Sequence, residues 1–119
     1  VSADVRNESS ISGASSQKTI YLLSDNTGET SQKLISSLLV QYHDTRPSVR
    51  LRANVRTQEQ VEMIVDEVAS SGCPAMIFAT IVDPQLRQVC EDLCSRMGVR
   101  WIDVMSPLVG AVESFLRTR

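Results

Sequence analysis

The residues best suited to bind an anion lie in one short run between an apolar segment and an amphipathic one. This run contains Ser24, Asp25, Asn26, Thr27, Gly28, Glu29 and Thr30. Its hydroxyl groups can hydrogen-bond a phosphate, its glycine lets the backbone approach closely, and a following helix would present its positive end. The run has neither the lysine of a G-x-x-x-x-G-K-[ST] loop nor a G-x-G-x-x-G pattern. We predict a nucleotide or phosphate site here, with a purely structural turn as the alternative.

A second pair of polar residues follows the most apolar segment of the chain. Thr80 and Asp83 come at the end of the run from 75 to 83. We predict that both side chains complete the wall of the same site. Asp83 also precedes Pro84, which suits a residue that caps the N-terminus of a helix, and the two roles are compatible. No catalytic residue is predicted.

Three arginines share one parity on or near a predicted strand, and they are Arg50, Arg52 and Arg56. A row of this kind can contact a bound phosphate or an acidic partner. It can also be a solvated sheet edge that is protected against pairing with other strands.

The cysteines do not predict a metal site. Cys90 and Cys94 lie four apart on a predicted helix, and the single histidine, His43, is distant in sequence. Zinc requires about four ligands, so no metal is expected. Cys90 suits a buried core position. Cys94, at the edge of the apolar stripe, and Cys73, in a turn, are placed where a disulfide could form under oxidising conditions.

Composition indicates one ordinary globular domain. The chain has 119 residues, 42% apolar and 22% charged, with a net charge of −2. It carries no basic, aromatic-interleaved patch for nucleic acid and no apolar run of the roughly 18 residues that a membrane span needs. Three cysteines without C-x-x-C spacing fit a reducing, intracellular compartment, the cytoplasm or the plastid stroma. We predict a flexible, serine-rich lead-in over 1–17 and an α/β domain over 18–119.

Strand-like and helix-like segments alternate along that domain. The predicted strands are 18–23, 49–55, 75–81 and 99–104, and the second of them alternates strictly between apolar and polar residues. Alternation favours an edge strand, whereas the continuous apolar third segment favours a central one. Four βα units predict an open parallel sheet of order 2-1-3-4 with helices on both faces. Its switch point lies between the first and third strands, where the two polar runs converge.

Helix boundaries are marked by specific residues. Thr57 and Gln60 form a capping-box pattern, Pro84 suits a first helical position, and Gly98 suits a helix end. The last helix is predicted to open at Ser106 and to bury an apolar stripe that comprises Leu108, Val112, Phe115 and Leu116.

Four stretches in this order resemble one family. Residues 20–30 (Ile-Tyr-Leu-Leu-Ser-Asp-Asn-Thr-Gly-Glu-Thr) resemble the opening of the pyruvate, phosphate dikinase and phosphoenolpyruvate synthase regulatory proteins. Gln41-Tyr42 and the stretches 78–87 and 102–108 are similar as well. Ser31-Gln32 stands where the family has Ala-Glu. The chain ends before the region in which the family carries its phosphate-binding loop and kinase residues, so the resemblance implies an N-terminal domain.

The resemblance implies a function for the whole protein. It would be a bifunctional regulator that uses ADP to phosphorylate a threonine of pyruvate, phosphate dikinase or phosphoenolpyruvate synthase, and reverses this with inorganic phosphate, releasing pyrophosphate. For this domain it implies binding of an adenine nucleotide, docking of the target enzyme or formation of a homodimer, with no cofactor and no catalysis of its own.

Two other classes of protein need residues that this sequence lacks, and a third class remains open. A receiver domain needs a lysine near its last strand, and none occurs after Lys33. A cysteine-dependent phosphatase needs a cysteine in the first loop, and residues 24–30 have none. A stand-alone flavodoxin-like module that binds a small molecule or a protein partner without catalysis remains the alternative.

Overall fold

The protein is described by a computed structural model over residues 17–42 and 44–118. Four strands alternate with four helices: β1 Thr19–Ser24, α1 Glu29–Leu39, β2 Ser48–Arg52, α2 Gln58–Ala69, β3 Ala75–Thr80, α3 Pro84–Met97, β4 Arg100–Asp103 and α4 Met105–Arg117. The predicted lead-in lies outside these residues, except for Gln17, and so does His43. No helix in the described part is long and apolar enough to cross a membrane.

The sheet has the predicted arrangement. Its four strands are all parallel and lie in the order β2-β1-β3-β4. The alternating strand β2 is at one edge, the apolar strand β3 is central and β4 forms the other edge, as the sequence pattern predicted. The switch point therefore falls between β1 and β3, at their carboxyl ends.

Helices cover both faces, because successive residues of each strand point to opposite sides. On one face, Tyr21 and Ile77 belong to a large core formed with α2 and α3. On the other face, Leu22 and Phe78 pack with Ile35 of α1. The α/β fold class with helices on both faces is thereby confirmed.

The predicted helix signals act as expected. Thr57 and Gln60 form a reciprocal capping box at the start of α2. Asp83 caps α3, with Pro84 in its first turn, and Gly98 ends that helix with φ of 70°. These signals depend on neighbouring residues alone, which is why the sequence places them correctly.

The predicted end of β2 is wrong. The strand was expected to continue to Val55 but ends at Arg52. Asn54 has φ of 57°, a left-handed conformation that asparagine tolerates and a strand does not contain. The amides of Asn54 and Val55 then donate to the carbonyl oxygens of Asn26 and Ser24, so the segment after β2 pairs with the first loop instead of continuing along the sheet.

The predicted packing of α4 is also wrong. The helix begins at Met105, one residue before the expected start, and none of its residues is buried. Phe115 is 76% exposed and Leu116 is 72% exposed. Asp103, rather than Ser106, supplies the cap, because its carboxylate accepts from the amides of Met105 and Ser106. The apolar stripe is present, but within the described residues it has nothing to pack against.

Candidate functional site

The loop after β1 is built by its own side chains and by the segment after β2. The Asn26 amide donates to Ser24 Oγ over 3.0 Å, which tightens the turn directly after the strand. The Asn54 amide donates to the Asn26 carbonyl oxygen over 2.7 Å. Ser24 is buried, whereas Asn26 and Thr27 are exposed. The loop is therefore held from one side and faces solvent on the other.

Gly28 occupies a position that only glycine fits well. Its φ is 88°, and a Cβ placed on it would lie 2.6 Å from Leu51 Cδ1. Gly28 is the N-cap of α1 and has no side chain to cap it. Within the described residues, the Glu29 amide donates to Thr27 Oγ1 over 3.5 Å, and the amides of Thr30 and Ser31 have no side-chain acceptor. Peptide N–H groups in a first turn have no partner within the helix, so the start of α1 offers uncapped donors and a positive dipole end toward the cleft.

Asp25 connects the two loops that meet at the switch point. Its Oδ2 accepts hydrogen bonds from the amides of Val82 and Asp83, over 3.0 Å and 3.1 Å. The first of these loops follows β1 and the second follows β3. This carboxylate therefore links the loop after β1 to the loop after β3 and fixes the distance between them.

Ser31 and Thr80 make a buried contact beneath the site. Their hydroxyl oxygens lie 2.5 Å apart, and both side chains are buried. Ser31 stands in the first turn of α1 and Thr80 ends β3, so the contact seats α1 against the sheet. The sequence predicted Thr80 as a site residue but gave Ser31 no role, because the pairing joins residues 49 apart in sequence.

Arg56 brings a positive charge to the cleft. Its Nε donates to the Asp25 carbonyl oxygen over 2.9 Å, which places the guanidinium beside the loop after β1. The terminal nitrogens of this guanidinium make no hydrogen bond or ion pair with the described part of the chain. Two charge-bearing donors are thus available next to the uncapped start of α1.

These elements enclose a cleft of about 610 Å³ at the carboxyl ends of β1 and β3. It is lined by Ser24, Asp25, Asn26, Thr27, Gly28, Glu29, Thr30, Arg56, Thr80, Val82 and Met105. All seven predicted loop residues and Thr80 are brought together. Asp83 is not among the lining residues, since its Oδ1 accepts from the Gln85 amide as the cap of α3. Met105, from the junction between β4 and α4, was not foreseen.

The arginine row does not act as a unit. Arg52 forms an ion pair with Glu67 of α2 and lies over the Tyr21 ring, 5.5 Å from its centroid. Arg50 is half-buried, and its Nε has no hydrogen-bond partner within the described residues. Of the three, Arg56 alone lines the cleft.

The cysteines belong to the core and not to the cleft. Cys90 and Cys94 are both buried, which confirms the core position predicted for Cys90, and all three cysteines are free. A side-chain hydrogen bond with Cys94, together with burial, raises the pKa of the Cys90 thiol. Within residues 17–42 and 44–118, no cluster of histidine, cysteine and carboxylate side chains could hold a metal ion.

Several of the groups that line the cleft can donate hydrogen bonds to an anion. Hydroxyl groups of Thr27 and Thr30, the start of α1 and the Arg56 guanidinium are all donors, and Glu29 is exposed at the rim. Lysine does not line the cleft. Phosphoryl transfer needs cations clamped around the transferred group, which this donor set does not provide by itself.

A family model described as kinase/pyrophosphorylase matches residues 20–119. The match covers every element that builds the cleft. The chain belongs to the kinase/pyrophosphorylase family. Relatives named as pyruvate, phosphate dikinase regulatory proteins agree with this assignment, and so the resemblance seen in the sequence is confirmed.

Three such relatives of this kinase/pyrophosphorylase chain come from different bacteria. The protein of Sorangium cellulosum is 33% identical over 99 residues, which are 83% of this chain and 34% of the relative. That of Geobacter sulfurreducens is 35% identical over 98 residues, 82% of this chain and 36% of the relative. That of Caulobacter vibrioides is 32% identical over 100 residues, which are 84% of this chain and 31% of the relative. The chain spans about a third of the length of these curated relatives.

Proposed function

We propose that this chain is the nucleotide- and phosphate-binding domain of a regulator of pyruvate, phosphate dikinase or phosphoenolpyruvate synthase. The names of the bacterial relatives support the dikinase as the target. The family description, kinase/pyrophosphorylase, supports a pair of opposed phosphoryl transfers. In the forward direction the whole regulator transfers the terminal phosphoryl group of ADP to a threonine of the target, which inactivates it and leaves AMP. In reverse, inorganic phosphate takes the phosphoryl group from the threonine and leaves as pyrophosphate.

The observation that carries the proposal for this domain is the cleft at the switch point. Its volume of about 610 Å³ is within the range of small-molecule sites. The uncapped start of α1 and the Arg56 guanidinium face the same space, and both favour a phosphate group. The exposed hydroxyl groups of Thr27 and Thr30 add donors. These donors match a phosphate group placed at the start of α1, and the family resemblance favours an adenine nucleotide as the molecule that carries it.

Calorimetric titration of residues 1–119 with AMP, ADP and inorganic phosphate tests the site. We expect saturable binding of at least one of the three. Arg56→Gln should weaken it by roughly 10- to 100-fold, the range that a hydrogen bond to a charged group contributes. Arg96→Gln, on the exposed last turn of α3, is the matched control and should bind like the wild type. No saturable binding by folded protein would leave the loop as a structural turn.

The same domain should not transfer phosphate alone. Incubated with ADP and purified dikinase, residues 1–119 should leave the threonine unmodified by mass spectrometry, because the cleft lacks a lysine clamp. Phosphorylated dikinase in this assay would show that the binding domain is itself the kinase and would refute the division of roles proposed here.

A further inference from the structure

A second concave site lies at the end of the sheet opposite the cleft, beside the amino ends of β1, β3 and β4. This amino-end hollow has a volume of about 590 Å³, within the range of small-molecule sites. Its described lining residues are all different from those of the cleft. Most of them are apolar: Ile20, Leu39, Pro47, Pro74, Ala75 and Met76. The hollow can therefore hold a ligand with an apolar body.

One row of side chains across the sheet forms the floor of the amino-end hollow. Ile20 pairs in register with Met76, and Met76 pairs with Arg100. Side chains in register on neighbouring strands point to the same face, which is here the face that α1 covers. Phe78, two residues further along β3, is only 7% exposed beneath α1, whereas Met76 is half-buried. The helix thus leaves this row accessible to a ligand.

Backbone hydrogen bonds hold the walls of the amino-end hollow in place. The Thr19 amide donates to the Pro74 carbonyl oxygen over 3.0 Å, which ties the start of β1 to the segment before β3. The Tyr42 amide donates to the Leu39 carbonyl oxygen over 2.9 Å, which continues the end of α1 into the next wall. All four residues line the hollow. A site whose walls are already fixed loses little conformational freedom when a ligand binds.

Two cationic side chains flank the apolar floor. Lys18 stands directly before β1, and Arg100 stands at the β4 end of the row. Both side chains line the hollow and are exposed, and neither forms a hydrogen bond or ion pair with the part of the chain that the structure describes. None of the described lining residues is acidic. The charge of the hollow therefore favours an anion, and a guanidinium pairs best with a planar carboxylate.

We propose that the amino-end hollow binds a small organic carboxylate with an apolar body. The carboxylate pairs with the Arg100 guanidinium, Lys18 adds a second positive charge, and the apolar body lies over Ile20 and Met76. An inorganic anion would gain nothing from the apolar floor, and a neutral apolar molecule would leave both cations unpaired. The site is separate from the cleft, so the proposal does not depend on nucleotide binding there.

NMR titration of residues 1–119 with butanoate, hexanoate and octanoate tests the proposal. We expect saturable shifts of the Thr19 and Met76 amides that grow tighter with chain length, by roughly two- to fourfold for each added methylene, because each methylene leaves water. The Gly28 amide in the cleft is the internal reference and should show no such dependence on chain length. Octan-1-ol, which has the same length without the charge, should bind at least about tenfold more weakly than octanoate.

A charge-removing variant assigns the carboxylate to its partner. Arg100→Gln, at an exposed position, should weaken octanoate binding by roughly tenfold or more, with unchanged circular dichroism. Arg96→Gln, on the exposed last turn of α3, is the matched control and should bind octanoate like the wild type. Octan-1-ol that binds as tightly as octanoate, or Arg100→Gln that binds like the wild type, would overturn the proposal. The absence of saturable shifts at Thr19 and Met76 would leave the hollow to a polypeptide segment and would also overturn it.

Discussion

The hydroxyl oxygens of Ser31 and Thr80 lie 2.5 Å apart, with both side chains buried beneath the cleft. The contact joins the first turn of α1 to the carboxyl end of β3. Both residues therefore position the helix start that faces the cleft, and Thr80 contributes more to the site's support than to its surface.

Removing one member of this pair should destabilise the fold. Ser31→Ala leaves the Thr80 hydroxyl buried without its partner, so we expect a loss of about 1–3 kcal/mol in the free energy of unfolding, measured in urea. The double variant Ser31→Ala/Thr80→Val removes both hydroxyls and should cost less than the sum of the two single variants. Strict additivity would contradict an energetic coupling between them.

Gly28 and Gly98 provide a matched pair for measuring the close approach of the first loop to β2. Both have positive φ, so alanine at either position costs about 1–2 kcal/mol in backbone conformation. At Gly98 an added Cβ meets nothing within 4 Å, whereas at Gly28 it meets Leu51. Gly28→Ala should therefore lose up to about 1 kcal/mol more than Gly98→Ala in urea unfolding. Equal losses would show that Leu51 moves aside freely.

The Asp25 carboxylate should control the opening of the loop after β3. In Asp25→Ala the amides of Val82 and Asp83 lose their acceptor, and their hydrogen exchange should accelerate by roughly tenfold or more. Asp25→Asn keeps an acceptor oxygen and should show a smaller effect. The amide of Ile77, inside β3, is the internal reference in the same NMR experiment. Unchanged exchange at Val82 and Asp83 in the alanine variant would show that the loop is held by other contacts.

Tyr21 should make the protein sensitive to alkali. Burial raises the pKa of its phenol, Glu67 adds to the shift, and Arg50 and Arg52 oppose it. The folded state therefore holds the proton more tightly than the unfolded chain. The resulting stability is complete below the unfolded pKa of about 10 and is lost as the pH rises through the folded value.

Tyr21→Phe should flatten the fall in thermal midpoint above about pH 10, because the variant has no phenol proton to lose. A variant whose midpoint falls as steeply as that of the wild type would show that Tyr21 does not contribute.

The sequence predicts those parts of the fold that depend on neighbouring residues. Strand order followed from periodicity, because alternation in β2 and continuous apolarity in β3 report the number of covered faces. Periodicity could not predict whether α4 packs against its own sheet. An apolar stripe records that a helix packs against something, but its residues do not specify whether the partner is the same sheet.

The same distinction holds for the candidate site, where residues with a local pattern were predicted and residues placed by contacts between distant segments were not. The loop after β1 was found from its residue types, since a polar, glycine-containing turn before a helix has a local pattern. Arg56 was noted only as part of a row on the second strand, and its place in the cleft depends on the turn at Asn54. Ser31 and Met105 were missed because each reaches the site through contacts between distant segments.

The three thiols differ in exposure, so their reaction with an alkylating reagent can report when the core around α3 opens. Cys90 and Cys94 are buried on the core side of α3, whereas Cys73 is half-buried in the turn before β3. A brief pulse of an alkylating reagent should modify one cysteine in the native population and all three in molecules that have opened. Counting added labels by mass spectrometry would then time the opening of this half of the core, with no engineered probe.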